Sequence, residues 1–128
     1  MNMLGILQDD HYRQHDTGHG HPERPERLEA VKAGIAGSGM LDGATLIEPT
    51  PITDQQLLRV HTATYLRNVE SACRQAWPYI DSPDCPISPE SWDIARLAAG
   101  GVVRACRLVA DGELRRAFCA VRPPGHHA

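Results

Sequence analysis

The chain has 128 residues, of which 41% are hydrophobic and 23% charged, and its formal net charge is −3. These values are ordinary for a single globular domain with a modest core. The slight acidity and the lack of a Lys/Arg run argue against a nucleic-acid-binding protein. No apolar stretch approaches the ~20 residues of a membrane span, and no basic-then-apolar start indicates a signal peptide, so no membrane association is expected.

The first half of the chain predicts two strands around a helix. Residues 3–7 are apolar and typical of a buried parallel strand, and residues 44–48 predict a second one. Residues 9–21 are polar, with two glycines and four histidines, and predict a loop at the carboxyl end of the first strand. Residues 22–35 predict a helix whose apolar face carries Leu28, Val31 and Ile35.

The second half predicts helices followed by a last strand. Thr53 and Gln56 have the spacing of a capping box that starts a short helix. A longer helix is predicted over 62–77 and a proline-rich loop over 78–86. Ser88-Pro89 predicts the start of a helix that runs to about Ala110. Its predicted buried face comprises Trp92, Ala95, Ala99, Val102, Cys106 and Val109. Residues 117–121 predict a buried strand, so residues 1–128 are interpreted as one α/β domain with a parallel sheet.

Cysteine and histidine patterns bear on the compartment and on metals. The four cysteines form no C-x-x-C pair, which favours reduced thiols and a cytoplasmic location. The histidines of residues 11–21 suggest a structural zinc that would use His19 or His21 with Cys85. Their spacing matches no closed four-ligand pattern, so a solvated loop is the preferred interpretation.

Residues 122–128 read Arg-Pro-Pro-Gly-His-His-Ala and follow the last predicted strand directly. Paired imidazoles at the carboxyl end of a strand are well placed for proton transfer. The string resembles the active-site segment of class II histone deacetylases and acetylpolyamine amidohydrolases. Further resemblance lies in residues 21–28 (HPERPERL), in residues 61–66 (HTATYL), and between residues 88 and 100. It extends from about residue 11 to the last residue.

The resemblance implies an arginase-like, three-layer α/β deacetylase fold of which this chain is the N-terminal part only. The family enzymes are zinc-dependent, and their metal ligands and catalytic tyrosine lie on segments that follow the His-His pair. This chain contains none of those segments. We therefore expect zinc in the complete family enzyme and no metal bound by this chain alone.

The resemblance also assigns catalytic roles. His127 is the stronger candidate for the general acid/base, and His126 is expected beside the zinc-bound water. Pro124 and Gly125 are expected to form the floor near the acetyl methyl group. Arg122 is expected to hold its loop in place.

Substrate-binding roles follow from the same resemblance. Asp84 is the candidate that grips the substrate backbone, with Asp81 as a competing candidate in the same loop. Arg24 best matches an arginine that lines the cavity behind the active site, where acetate leaves. A surface pairing of Arg24 with Glu23 or Glu26 is the alternative.

Two functions remain in competition at this point. The first is part of a zinc amidohydrolase acting on acetyl-lysine or a small acetylated amine, with the isolated chain inactive because metal ligands are absent. The second is a non-catalytic, self-associating module that retains the start of the fold. Either way, exposed strand edges and helix faces predict a homo-oligomer or a complementing chain. A small metal-binding protein built on residues 11–21 is the weakest option.

Overall fold

A computed structural model describes residues 3–127 as a three-stranded parallel sheet with helices on both faces. The strands are β1 (Leu4–Gln8), β2 (Thr45–Ile47) and β3 (Arg116–Ala120), in the order β2-β1-β3. The helices are α1 (Glu26–Gly37), α2 (Asp54–Leu57), α3 (Ala63–Arg74) and α4 (Ser91–Ala110), and a 3-10 helix spans Asp10–Gln14. The predicted α/β class with a parallel sheet is confirmed.

The central strand β1 is buried on both of its faces. Ile6 and Leu7 are adjacent in sequence, point to opposite faces, and are both fully buried. Ile6 packs with Ile35 of α1, whereas Leu7 packs with Ala105 of α4. Helices therefore cover the two faces of the sheet and give three layers, the arrangement that continuous apolar strands require.

The register of the sheet brings two loops to one edge. Gln8 at the end of β1 lies opposite Ala120 at the end of β3. The loop after β1 and the histidine segment (residues 122–127) therefore leave the sheet side by side, as the sequence predicts. Ala128, the last residue of the predicted motif, lies outside the described residues.

Helix α1 begins at Glu26, four residues after the predicted start. A residue that precedes proline is sterically disfavoured in the helical conformation. Arg24 stands directly before Pro25, so it lies outside the helix, whereas Arg27 falls in the first turn.

Helix α4 differs from its prediction in both its start and its buried face. It begins at Ser91 because the Ser91 hydroxyl accepts a hydrogen bond from the Ser88 N–H at 2.8 Å, which makes residues 88–90 a turn. Its buried residues are Ser91, Trp92, Ile94, Ala98, Gly100, Gly101 and Ala105, whereas Val102 and Cys106 are exposed. A Cβ on Gly100 would lie 1.7 Å from the Thr50 carbonyl oxygen. The glycines thus form the packing surface that the apolar pattern alone misses.

Strand β3 is not the fully buried strand that the sequence predicts. Its residues alternate in exposure, and Phe118 is 44% exposed. The cause is its position at an edge of the described sheet, where β1 is its only hydrogen-bonded neighbour.

The polar stretch after β1 is more ordered than a loop prediction suggests. The Asp9 side chain accepts a hydrogen bond from the His11 N–H at 2.8 Å and caps the 3-10 helix. Tyr12 of this helix is fully buried with Leu28 and Ile94.

Thr53 and Gln56 form the predicted capping box at the start of α2. None of the described helices is long and apolar enough to cross a membrane, and all four cysteines are unpaired.

Candidate active site

A cavity of about 520 Å³ opens where the loop after β1 meets the histidine segment. Residues 80–87 and parts of α3 and α4 complete its walls. Most of the lining is apolar, with a few polar groups that face inward, which is the usual composition of a site for a small molecule or a side chain. It lies outside the carboxyl ends of the parallel strands, where α/β proteins bind ligands.

His126 and His127 both line this cavity, and both are exposed to solvent. Their ring centroids are 4.3 Å apart, with the planes tilted by 52°. The His127 Nε2 atom lies 3.9 Å from the Asp84 Oδ2 atom. Neither ring is packed among aliphatic side chains, so both can exchange protons with a molecule in the cavity.

The residues predicted as the floor of the site accompany the histidines. Pro124 and Gly125 line the same cavity. The Arg122–Pro123 peptide bond is cis, and Gly125 has a φ of +77°, in the left-handed region that favours glycine. This turn brings the chain around so that His126 and His127 face the cavity.

Both candidate aspartates of the proline-rich loop line the cavity. The loop is closed by the Ile80 N–H, which donates to the Cys85 carbonyl at 3.0 Å, and by a bridge between Tyr79 and Pro86. Asp84 is the one beside His127, and Asp81 takes a left-handed conformation with a φ of +60°. Both aspartates therefore remain candidates, and Asp84 is the one that lies near His127.

The structure does not bring Arg24 to this cavity. Arg24 is exposed and lines a separate polar depression with Arg13 and His19. Arg27, one helical turn further along, lines the cavity instead.

A buried polar cluster supports the histidine segment from beneath, and sequence reasoning identified only one of its members. Arg122 is 2% exposed, and its guanidinium donates to both carboxylate oxygens of Glu23 and to the carbonyl oxygens of Tyr12 and His15, each at 2.8 Å. The expectation that Arg122 holds its loop is confirmed. An arginine that follows an apolar strand predicts a buried cation in need of an acid, but nothing in the sequence singles out Glu23.

His15 is the second member of the cluster that the sequence did not identify. Its Nδ1 atom lies 2.7 Å from the Ser91 hydroxyl oxygen, and its Nε2 atom lies 3.8 Å from Glu23 Oε2. The pKa of His15 is lowered to about 4, mainly by burial and then by the nearby Arg122 cation, whose effect is larger than the opposing effect of Glu23. His15 is therefore neutral near pH 7 and serves as a hydrogen-bonding group.

The residues described do not by themselves fit a metal ion. Within residues 3–127, no three His, Cys, Asp or Glu side chains converge in a way that could hold one. His21 and Cys85 line the main cavity, but His19 lies in the other depression. The pairing of His19 with Cys85 is thus not formed.

Comparison with known proteins connects this geometry to one family. The family model described as the Histone deacetylase domain matches residues 21–128. A probable deacetylase of Archaeoglobus fulgidus is 34% identical over 128 residues, which cover 98% of this chain and 35% of the relative. A histone deacetylase-like amidohydrolase of Pseudomonas aeruginosa is 40% identical over 108 residues, which cover 84% of this chain and 28% of the relative.

A solved structure resembles the fold closely. The crystal structure of the HDA15 HD domain superposes with a TM-score of 0.89 and 32% identity, covering 99% of this chain and 37% of that chain. The matched region thus covers 28–37% of the length of these three proteins.

Proposed function

This chain belongs to the histone deacetylase family, and we propose that it supplies the N-terminal, histidine-bearing part of a zinc-dependent deacetylase with the arginase-like fold. The observation that carries the proposal is the pair of solvent-accessible imidazoles at the cavity, with Asp84 beside them. The proposed substrate class is an acetyl-lysine or a small acetylated amine, because the relatives are described as a deacetylase and a deacetylase-like amidohydrolase, and the mostly apolar cavity suits such a side chain.

His127 acts as the general acid/base in this proposal. It takes a proton from the attacking water and returns one to the leaving amine. His126 lies beside it, with the two ring centroids 4.3 Å apart, so both imidazoles face the same end of a bound molecule. Both imidazoles line the cavity, where they can form hydrogen bonds to a bound molecule, and this supports the two roles.

Asp84 binds the substrate backbone, and Pro124 and Gly125 lie against the acetyl group. The Asp84 side chain is 73% exposed, so its carboxylate is free to accept hydrogen bonds from a bound molecule. Gly125 presents no side chain, which leaves room for a methyl group beside the histidines.

Zinc, when bound, would supply an activated water. The described residues gather no zinc site, so the ligands would come from residues other than these. We therefore propose that the chain alone has no deacetylase activity.

A transplanted segment tests the catalytic proposal directly. Residues 21–128 would replace the matching region of the Pseudomonas aeruginosa relative, and hydrolysis of an acetyl-lysine peptide and of an acetylated polyamine would be measured. We expect His127→Ala to lower kcat by at least about 100-fold. His61→Ala is the matched control, because His61 stacks on Tyr65 and does not line the cavity. Equal activity of the two variants would refute the role of His127.

A non-catalytic, self-associating module is the second candidate, and exposed apolar side chains favour it. Phe118 on β3 and Leu46 on β2 are 44% and 65% exposed, and both strands are edges of the described sheet. Such edges promote association with a second copy or with a complementing chain. Light scattering should show a dimer or larger species, and a monomer at high concentration would contradict the association.

A further inference from the structure

The Glu23 carboxylate and the Arg122 guanidinium form a two-point pair inside the protein. Glu23 Oε1 accepts from Arg122 Nε, and Glu23 Oε2 accepts from Arg122 Nη2, both at 2.8 Å. The third nitrogen, Nη1, donates to the carbonyls of Tyr12 and His15. Every guanidinium nitrogen is therefore occupied, and the planar fork fixes the orientation of Arg122 as well as its position.

Glu23 is itself fixed from its other side. The Thr17 hydroxyl donates to the Glu23 carbonyl at 2.6 Å, and the Glu23 N–H donates to His21 Nδ1 at 3.1 Å. The Glu23 side chain is only 15% exposed. The loop after β1 thus holds Glu23 at both its backbone and its carboxylate.

Few degrees of freedom separate Arg122 from the histidines. The three residues between Arg122 and His126 are Pro123, Pro124 and Gly125. Each proline ring restricts φ, so Gly125 is the one joint with wide freedom. A displacement of Arg122 is therefore carried along the two prolines to Gly125, the residue directly before the histidines.

We propose that Glu23 is a positioning residue, which sets the orientation of His126 and His127 through Arg122. The effect of this positioning on catalysis rests on the function proposed above. The positioning itself can be measured without any turnover.

Nuclear magnetic resonance on the 128-residue chain tests the positioning. The amide and imidazole signals of His126 and His127 would be compared in the unaltered chain, in Glu23→Gln and in Arg122→Lys. Glutamine keeps the size of Glu23 but removes its charge and one acceptor, whereas lysine keeps the charge of Arg122 but removes the fork. The control is Glu29→Gln, which breaks the exposed pair with Arg13.

We expect both test variants to shift or broaden the His126 and His127 signals, while the amides of Ile6 and Ala105 keep their positions. The double variant should move the histidine signals no further than Arg122→Lys alone, because the two residues act in series. Glu29→Gln should leave them unchanged.

Two results would overturn the proposal. One is unchanged histidine signals in both test variants with the core signals intact. The other is loss of the core signals together with the histidine signals in both variants, which would make the pair a general element of the fold.

A kinetic arm separates this inference from the proposed function. In the transplanted enzyme, Glu23→Gln should lower kcat by about tenfold to hundredfold with little change in KM, as expected for misplaced reacting groups. An unchanged kcat in a transplanted enzyme that does depend on His127 would refute the positioning role. If His127→Ala leaves turnover intact while Glu23→Gln moves the histidine signals, the proposed function fails and the positioning stands.

Discussion

The two walls of the cavity differ in their burial and in their hydrogen bonding. The inner wall is formed by Glu23, His15 and Ser91, which line the cavity, together with Arg122, which is buried behind them; the polar groups of these four residues are joined by hydrogen bonds of 2.7–2.8 Å. The outer wall (Asp81, Asp84 and the ring of His127) is exposed, and the His127 Nε2 and Asp84 Oδ2 atoms lie 3.9 Å apart, beyond hydrogen-bond distance. One cavity therefore combines a fixed side with an adaptable side.

The difference shows how a site can be both precise and accessible. A buried charge that loses its partner is strongly destabilising, so the inner wall has one favourable arrangement. An exposed ion pair contributes little because water and salt screen it. Asp84 can thus leave His127 for a bound molecule at small cost, while the histidine segment keeps its base.

Removal of the buried cation should break the inner wall most severely. Arg122→Ala leaves the Glu23 carboxylate and two carbonyls without their donor, and we expect a loss of about 3–5 kcal/mol in the free energy of unfolding. Urea denaturation followed by circular dichroism measures it. Arg13→Ala, which breaks an exposed pair with Glu29, should cost no more than about 1 kcal/mol. Similar losses in the two variants would erase the distinction between the walls.

Acid should weaken the inner wall through His15. Burial lowers its pKa from 6.5 to about 4, so between these values the unfolded ring binds a proton that the folded ring does not. The stabilisation is complete above pH 6.5 and is lost as the pH falls toward 4.

A comparison of variants isolates this contribution from other acid effects. Between pH 7 and pH 4.5 the unaltered chain should lose on the order of 2 kcal/mol more than His15→Gln. His19→Gln, at an exposed position, should follow the unaltered chain. Parallel stability curves for all three proteins would show that His15 is not responsible.

A methyl group placed beneath the inner wall should have a moderate effect. A Cβ on Gly101 would lie 2.7 Å from Leu7 Cδ2 and 3.0 Å from the Tyr12 hydroxyl oxygen. Gly101→Ala should therefore lower the free energy of unfolding by about 1–3 kcal/mol. Gly34→Ala in α1 meets nothing within 4 Å and should raise it by up to about 1 kcal/mol. Thermal denaturation of both variants checks the opposite signs.

A substitution in the outer wall should change the free energy of unfolding least. Asp84→Asn removes an exposed charge with no close hydrogen bond to His127, so stability should change by less than about 0.5 kcal/mol. Urea denaturation would detect a larger change, which would show that the outer wall is as tightly integrated as the inner one. In the transplanted enzyme the same variant should raise KM, because the proposed role of Asp84 is to bind substrate.

The arrangement of strands and loops was accessible from the sequence because it depends on local patterns. Apolar runs at residues 3–7, 44–48 and 117–121 predicted three strands, and all three exist with each boundary shifted by one residue. The meeting of the β1 loop with the histidine segment followed from parallel pairing alone. The buried face of α4 was different: apolar periodicity selected Val102 and Cys106, which are exposed, whereas the close contacts are made at Gly100 and Gly101, as two small residues in the middle of the helix suggest.

The site was only partly accessible for a related reason. His126, His127 and Asp84 carry their signal in a short motif or loop, and the structure places all three at one cavity. Arg24, which the resemblance favoured, lies before Pro25 and outside α1 and does not line the cavity, whereas Arg27 in the first turn of the helix does. The partnership of Glu23 with Arg122 joins residues 99 positions apart, a pairing that no local pattern encodes.

The long-range reach of Arg122 has a consequence for the order of events during synthesis. Its acceptors at Tyr12, His15 and Glu23 leave the ribosome about a hundred residues before Arg122 does. Strand β3, which is the longer of the two strands that pair with β1, is also translated only shortly before Arg122. The loop after β1 therefore cannot form these hydrogen bonds until β3 and Arg122 have been translated. A nascent chain halted before residue 116 should accordingly expose that loop to protease, and one extended well past residue 127 should protect it.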